Sequence, residues 1–114
     1  MNYSLQKVDG VVLVIIHGSV WGELEDYQLK DEVKAQLRQG VRAFVVDFAD
    51  TNRLNSMGIG IIIASLVSVR DQEGRLITCG MNRRVHTTFQ VAGILQVLEV
   101  VPDRDAALAV FREG

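Results

Sequence analysis

The first apolar positions of this chain follow the pattern of a β-hairpin. Residues 11–16 form a nearly unbroken run of β-branched and aliphatic side chains, and Asp9-Gly10 directly before it is a turn signal. Such a turn pairs the run with residues 3–8. Two antiparallel strands are therefore predicted at the start of the chain.

Helical and extended patterns alternate over the rest of the chain. Residues 23–39 place Leu29, Val33 and Leu37 at four-residue spacing on one face, and Gly40 supplies a C-terminal stop. Residues 43–48 are again a short apolar run, which is typical of a strand covered on both faces. Beyond a polar loop at 50–55, the patterns predict a helix at 56–72, a strand at 75–79, a helix capped by Asn82, a strand at 96–100 and a final helix opened by Pro102-Asp103.

The order β-β-α-β-α-β-α-β-α decides the fold class. Strands that alternate with helices require a mixed sheet with parallel pairs, and right-handed crossovers place the helices against it. We predict a single α/β domain over residues 1–114, with a mixed sheet of four or five strands and about four helices packed mainly on one side. Ligands and partners of such folds meet the loops at the carboxyl ends of parallel strands, where the 50–55 loop is expected.

The composition argues against several classes of function. The 114 residues carry a net charge of -2 with acidic and basic residues interspersed, so the one-sided basic surface needed for direct nucleic-acid binding is missing. The longest apolar stretch, residues 59–69, is too short to cross a bilayer, so no membrane insertion is expected. Cys79 is the single cysteine and the first residues do not form a signal peptide, so a cytoplasmic location is expected.

The helix predicted at 56–72 has two apolar faces. One face is expected to bind the sheet and consists of Ile59, Ile62, Ile63, Leu66 and Val69. The opposite face is small and apolar where an exposed helix usually carries Lys and Glu, and consists of Met57, Gly60, Ile61, Ala64 and Ser68. Such a face is expected to bind a partner protein. The alternatives are that a neighbouring helix of the same domain covers it, or that a few exposed apolar groups have no function.

Ser56 stands at the start of the same helix. The unpaired N–H groups there and the positive end of the helix dipole would stabilise an added phosphate. The phosphate's charge would oppose any interface built around Met57 and Ile61. The alternative is that Ser56 is a plain N-cap, which is a common role of serine at a helix start.

One segment resembles the signature Asp-Ser-Ser/Thr-Gly-Leu-Gly of the STAS domain family, namely Leu54-Asn55-Ser56-Met57-Gly58-Ile59-Gly60. The resemblance extends over almost the whole chain, through Gly18, Val45-Val46-Asp47, Gly74, Val91-Ala92-Gly93-Ile94 and Asp103 with Ala106-Ala107. It implies a STAS fold and the function of a bacterial anti-sigma factor antagonist.

In such antagonists, a serine at the position of Ser56 is phosphorylated by the anti-sigma factor, which is also a serine kinase of the GHKL type. A PP2C-like phosphatase removes the phosphate. The resemblance therefore implies that the unphosphorylated form binds the kinase and so releases a sigma factor. The expected partner-binding residues are Trp21, Asn55, Met57, Gly58, Gly60, Ile61 and Ala64.

Three residues depart from the family pattern. Asn55 replaces the motif aspartate, which keeps an acceptor for the turn but loses a negative charge beside the target hydroxyl. Met57 replaces a second serine or threonine and enlarges the apolar face. Trp21 stands where many members have aspartate, in a loop expected near Ser56, as either an exposed anchor for a partner or a lid over the core. The Asn55 replacement favours an alternative function, that of a STAS assembly module that is not phosphorylated, in a signalling or transporter-associated complex.

No catalytic, metal or cofactor site is expected. A serine nucleophile needs a base, and neither His17 nor His86 has a supporting motif. Two isolated histidines and one cysteine show no metal-ligand spacing, and the lysine of a phosphate-binding loop is absent. Cys79 is expected to be a small buried hydrophobe. Arg83-Arg84 near a helix start is either a solvated face or a patch for an acidic partner.

Overall fold

The computed structural model describes residues 2–113, apart from the side chains of residues 24 and 25. The strands in this range are β1 (Asn2–Val8), β2 (Val11–Val20), β3 (Ala43–Asp47), β4 (Thr51–Leu54), β5 (Arg75–Cys79) and β6 (Glu99–Val101). The helices are α1 (Gln28–Arg38), α2 (Ser56–Asp71), α3 (Arg83–Val91) and α4 (Arg104–Glu113). Short 3-10 turns at Leu24–Tyr27 and Leu95–Val97 precede α1 and β6.

The strands form one mixed sheet in the order β1-β2-β3-β5-β6, with β4 added beside β2. β1 and β2 are antiparallel, as the turn signal predicts, and the other pairs are parallel. β2 has two parallel partners because it is long: residues 12–15 pair with β3 and residues 18–20 pair with β4. The register shifts between Gly18 and Ser19, where Gly18 has a φ of 75° that favours glycine.

Side chains of the central strands alternate between two buried layers, because successive residues of a strand point to opposite faces. The larger core includes Val12, Val14 and Ile16 of β2, and the smaller core includes Val11, Leu13 and Ile15. Buried residues of α1, α2 and α3 complete the larger core, whereas Ala107 and Leu108 of α4 belong to the smaller one. The predicted α/β fold with helices mainly on one side of a mixed sheet is therefore confirmed.

The sheet has six strands in the described chain, more than the four or five predicted. The additional strand is β4, which lies where the sequence predicts a polar loop. It is short and polar, and it pairs with the end of β2. The Thr51 hydroxyl also donates a hydrogen bond to the carbonyl oxygen of Ile16 at 2.9 Å. This pairing fixes the start of α2 against the end of β2.

Two other boundaries differ from the predicted ones. The first helix begins at Gln28, after the 3-10 turn, and not near residue 23. The last strand is Glu99–Val101, a little later than the predicted 96–100, because the Leu95–Val97 turn occupies part of that range. Neither change moves the segment around Ser56.

Candidate partner-binding site

Asn55 is the N-cap of α2. Its backbone is extended, and its side-chain Oδ1 accepts a hydrogen bond from the N–H of Gly58 at 3.0 Å. The Asn55 N–H donates to the carbonyl oxygen of Val20 at 3.2 Å, which ties the start of the helix to the end of β2. The acceptor role expected of Asn55 is confirmed, and the alternative that Ser56 is itself the cap is wrong.

Ser56 is the first residue of α2 and is exposed. Because Asn55 performs the capping, the Ser56 hydroxyl has no hydrogen-bond partner among the described residues. The hydroxyl stands at the positive end of a sixteen-residue helix, where a phosphate is electrostatically favoured. The position is therefore open to modification without loss of a structural contact.

The Trp21 loop lies beside Ser56, as the sequence predicts. The Asn55 Nδ2 group donates a hydrogen bond to the carbonyl oxygen of Trp21 at 3.1 Å. Next to it, Gly22 has a φ of 80°, and a Cβ built on it would come within 2.4 Å of the Met57 Cβ. The Trp21 side chain is 43% exposed, which favours the exposed position over the lid.

A buried carboxylate holds this loop in place. Asp26 is fully buried and accepts hydrogen bonds from the N–H groups of Gly22 and Glu23, both at 2.8 Å. Burial of Asp26 opposes its charge, yet the hydrogen bonds donated to it help to keep its pKa below the ordinary value. The sequence analysis missed Asp26, although an aspartate shortly after a glycine at a helix start is a recognisable turn signal.

The face of α2 opposite the sheet is only partly as predicted. Ile61 is 2% exposed and belongs to the larger core, so the expectation that it faces a partner is wrong. The reason is that α2 is covered on two sides, by the sheet and by α1. Ser65, one turn further on, is buried as well, and its hydroxyl donates to the Ile61 carbonyl oxygen at 3.0 Å.

Gly58 is also buried and serves the packing of the helix. A Cβ at this position would lie 2.7 Å from the backbone oxygen of Val20 and 2.9 Å from a Val20 methyl carbon. The absence of a side chain therefore lets the start of α2 approach the end of β2. Gly58 has no side chain to present to a partner.

The residues exposed on α2 lie on a side of the helix that only partly overlaps the predicted face, but this side is also uncharged over three turns. Met57 is 55% exposed and Val67 is 49% exposed, while Ala64 is half-buried and Gly60 is open to solvent. We call this the α2 surface, and it consists of Ser56, Met57, Gly60, Ala64 and Val67. An apolar helix face of this kind that no other part of the described chain covers is typical of a protein interface. The sequence analysis missed Val67. The alternative that it left open, a neighbouring helix of the same domain against α2, is confirmed for part of the helix, because α1 packs against α2 and Ile61 is buried.

Asp47, part of the family resemblance, has a structural role. It is 2% exposed, accepts a hydrogen bond from the Ala49 N–H at 2.9 Å and forms an ion pair with Arg104 at 3.0 Å. These contacts join the end of β3 to the start of α4. A buried carboxylate paired in this way is costly to leave without its partner.

His17 has contacts that its sequence context does not show. The Ser4 hydroxyl lies 3.0 Å from Nε2, and Asp50 contacts Nδ1. The contacts join β1, β2 and the turn before β4.

The described part of the chain holds no cluster of three or more His, Cys, Asp or Glu side chains arranged for a metal. Cys79 is fully buried, and burial together with the negative charge of Asp47 raises the pKa of its thiol to about 12. It is therefore a small buried hydrophobe, as predicted. Across residues 2–113, none of the helices has the length and apolar character needed to cross a bilayer.

The sequence matches the family model of the STAS domain over residues 2–107, so the chain belongs to the STAS domain family. BtrV of Bordetella bronchiseptica, provisionally named an anti-sigma factor antagonist, is 28% identical over 112 residues, which cover 98% of this chain and 96% of BtrV. The anti-sigma-B factor antagonist of Listeria monocytogenes is 22% identical over 71% of this chain and 74% of that protein.

Solved structures show the same fold. The anti-sigma factor antagonist SpoIIAA in its unphosphorylated form has a TM-score of 0.84 at 17% identity, covering 99% of this chain and 98% of SpoIIAA. Its phosphorylated form, described as a Bacillus cell fate determinant, has a TM-score of 0.74 at 17% identity over 96% and 99% of the two chains. The STAS fold and the relation to anti-sigma factor antagonists are thus confirmed, and proteins of this group are in general regulators and not enzymes.

Proposed function

We propose that this protein is an anti-sigma factor antagonist switched by phosphorylation of Ser56. In the unphosphorylated form it binds an anti-sigma factor that is also a GHKL-type serine kinase, and so releases a sigma factor. A PP2C-like phosphatase restores this form. Because the kinase uses ATP, we place the switch in the cytoplasm.

The observation that supports the proposal most is the position of Ser56. Its hydroxyl is exposed and free of hydrogen bonds in the described chain, and it stands beside the apolar α2 surface. A phosphate would be stabilised by the helix dipole in the free protein, but burying it against a partner would strand a double charge. The same residue can therefore be modified easily and oppose binding once modified.

Trp21 and Met57 supply the rest of the proposed docking site. The loop of Trp21 is held against the start of α2 by Asn55, and the Trp21 and Met57 side chains are both about half exposed. Large apolar side chains at the centre of an interface carry much of its binding energy. We therefore include Trp21, Asn55, Met57, Gly60 and Ala64 in the docking site, add Val67, and leave out the buried Ile61 and Gly58.

The phosphorylation part is tested on protein isolated from its native cells. The intact mass, measured before and after phosphatase treatment, is expected to reveal one removable phosphate. A chain with Ser56→Ala should lack it, whereas Ser68→Ala, on the same helix, should keep it. A phosphate that persists in Ser56→Ala would place the switch at another residue.

The binding part is tested by calorimetric titration with the kinase. Ser56→Asp and Met57→Lys should each weaken binding by about tenfold or more. Burying one unpaired charge in the interface costs on the order of a few kcal/mol, and each 1.4 kcal/mol corresponds to about a tenfold change in the dissociation constant. Lysine keeps the first carbons of the methionine chain, so the Gly22 contact survives. Lys34→Ala, on α1, should bind like the parent. Equal binding of Met57→Lys and the parent would exclude the α2 surface.

A second function, that of a STAS assembly module that is not phosphorylated, is favoured by one residue. Asn55 places an uncharged amide where the family pattern has a carboxylate, so the negative charge beside Ser56 is missing. In that case the native protein would carry no phosphate, and Met57→Lys would still weaken assembly. The mass measurement therefore separates the two functions.

A further inference from the structure

A groove runs between α2 and α3 and continues past the start of α3. Its first part has a volume of about 370 Å³ and is lined by Ser56, Ile59, Thr87, Thr88, Val91 and Ala92. Its second part has a volume of about 630 Å³ and is lined by Asn52, Asn82, Arg83, Arg84 and the same two threonines. Because the two parts share Thr87 and Thr88, they form one surface, which we call the α3 groove.

One end of the α3 groove is apolar. Val91 is 82% exposed, more than any other large hydrophobic side chain of the described residues, and Ala92 beside it is exposed as well. Val91 adds little to the stability of the fold, since its surface stays in water. Covering it with an apolar side chain of a partner would remove that surface from water.

The other end of the α3 groove is cationic. Arg83 and Arg84 are exposed and form no ion pair within residues 2–113. No acidic side chain lines either part of the groove. The first turn of α3 adds the positive end of its dipole to the two guanidinium groups. This local positive charge stands out on a chain whose net charge is -2, and it is complementary to carboxylates.

We propose that the α3 groove binds an amphipathic segment of the partner kinase, with acidic side chains at Arg83 and Arg84 and apolar side chains at Val91. This inference rests on the proposed function, because it assigns the segment to the same kinase. Ser56 lines the apolar end, so the segment would hold the kinase directly beside its target hydroxyl. Arginine forks recognise carboxylates with two parallel hydrogen bonds, which gives this end of the groove its specificity.

The test uses the whole chain and two short synthetic amphipathic peptides. Leucine fills the apolar positions of both, and the polar positions are all glutamate in one peptide and all lysine in the other. In titrations followed by amide NMR at low salt, the glutamate peptide should shift the signals of Arg84, Thr88 and Val91. It should bind about tenfold or more tightly than the lysine peptide.

Matched charge reversals provide the control. The double variant Arg83→Glu, Arg84→Glu should bind the glutamate peptide about tenfold or more weakly than the parent. The double variant Lys34→Glu, Arg38→Glu makes the same charge change in a groove of about 360 Å³ between α1 and α2. It should change the affinity for the glutamate peptide by less than about twofold. Failure of the glutamate peptide to bind, equal binding of the two peptides, or shifts confined to another surface would overturn the proposal.

Titration with the kinase separates this inference from the proposed function. If the kinase binds the parent tightly and the Arg83→Glu, Arg84→Glu chain equally well, the α3 groove proposal fails while the proposed function stands. If the kinase does not bind the parent, the proposed function fails, and the peptide titrations alone decide whether the groove accepts an acidic segment. Weaker kinase binding of the double variant, with unchanged binding of Lys34→Glu, Arg38→Glu, would support both.

Discussion

At the scale of single residues, two asparagines each make two connections. Asn55 Oδ1 caps α2 through Gly58 while its Nδ2 group donates to the Trp21 carbonyl oxygen. Asn82 Oδ1 caps α3 through Val85 at 2.8 Å while its Nδ2 group donates to the Thr51 carbonyl oxygen at 2.9 Å. Aspartate would serve as the cap but could not donate. The amide at position 55 therefore joins the Trp21 loop to the segment around Ser56.

Asn55→Asp should release the Trp21 loop without unfolding the protein. Loss of the hydrogen bond should lower the free energy of unfolding by about 0.5–1.5 kcal/mol. The new negative charge at the helix start should raise it by about 0.3–1 kcal/mol. The free energy of unfolding should therefore change by less than about 1 kcal/mol. The emission of Trp21, the single tryptophan, should shift, and the Gly22 amide should exchange faster. Asn82→Asp is the control and should leave both signals unchanged; equal effects of the two variants would contradict the assignment.

Acid should release the same loop through Asp26. Since its pKa is held below the ordinary value of an aspartate in the folded protein, Asp26 stabilises the loop fully above that ordinary value, and the stabilisation is lost as the pH falls through the folded pKa. Trp21 emission measured against pH should therefore show a transition with its midpoint below the ordinary pKa of an aspartate. The variant Asp26→Asn should lack this transition. A midpoint above the ordinary pKa in the parent would show that the carboxylate is not stabilised by folding.

At the scale of elements, α2 shows where prediction from sequence succeeds and where it stops. The bounds of the helix and the exposed start at Ser56 follow from local signals, namely the polar loop before it and the apolar periodicity within it. The orientation of the helix depends on α1, which is distant in the sequence. Because α1 packs against α2 in addition to the sheet, and Ile61 and Ser65 are buried, the buried part of the helix surface is wider than a helical wheel based on the sheet alone predicts.

The two glycines near the start of α2 should respond oppositely to alanine. A Cβ at position 58 would meet the backbone oxygen of Val20 at 2.7 Å, so Gly58→Ala should destabilise the fold by about 1–3 kcal/mol. A Cβ at position 60 would meet nothing within 4 Å, and alanine is the better helix former, so Gly60→Ala should stabilise it by about 0.5–1 kcal/mol. Urea unfolding followed by circular dichroism measures both values.

Gly60→Ala also tests the α2 surface. If the kinase packs closely on this face, an added methyl group should weaken kinase binding although the free protein is more stable. A stabilised variant with unchanged kinase affinity would mean that the partner does not contact Gly60. Destabilisation by Gly60→Ala would show that this side of the helix is covered.

At the scale of the whole molecule, the sheet separates two cores of unequal size. The unbroken apolar run at residues 43–48 predicts a strand covered on both faces, and β3 places Phe44 and Val46 in the larger core and Val45 in the smaller one. β4 could not be predicted in this way, because Thr51–Leu54 has no apolar run and becomes a strand by pairing with the end of β2. The α3 groove was also beyond the sequence, since it exists only once α3 is placed beside α2.

The reactivity of the Cys79 thiol shows whether the smaller core unfolds locally while the rest of the protein stays folded. Its thiol is fully buried on β5 between β3 and β6, and its pKa is about 12, so at pH 8 only about one thiol in ten thousand is ionised. We expect a thiol-specific disulfide reagent to leave Cys79 unmodified in the native protein. Its rate of modification across a urea series should follow global unfolding measured by circular dichroism.

The variant Ser56→Cys supplies an internal control within one chain. A thiol at the exposed start of α2 should react quickly, since a helix start lowers a thiol pKa, while Cys79 in the same molecule stays protected. Mass spectrometry should therefore find one label per chain at low urea and two only as the protein unfolds. Labelling of Cys79 at urea concentrations well below the unfolding transition would contradict this expectation, because it would mean that α4 leaves the sheet while the larger core remains intact.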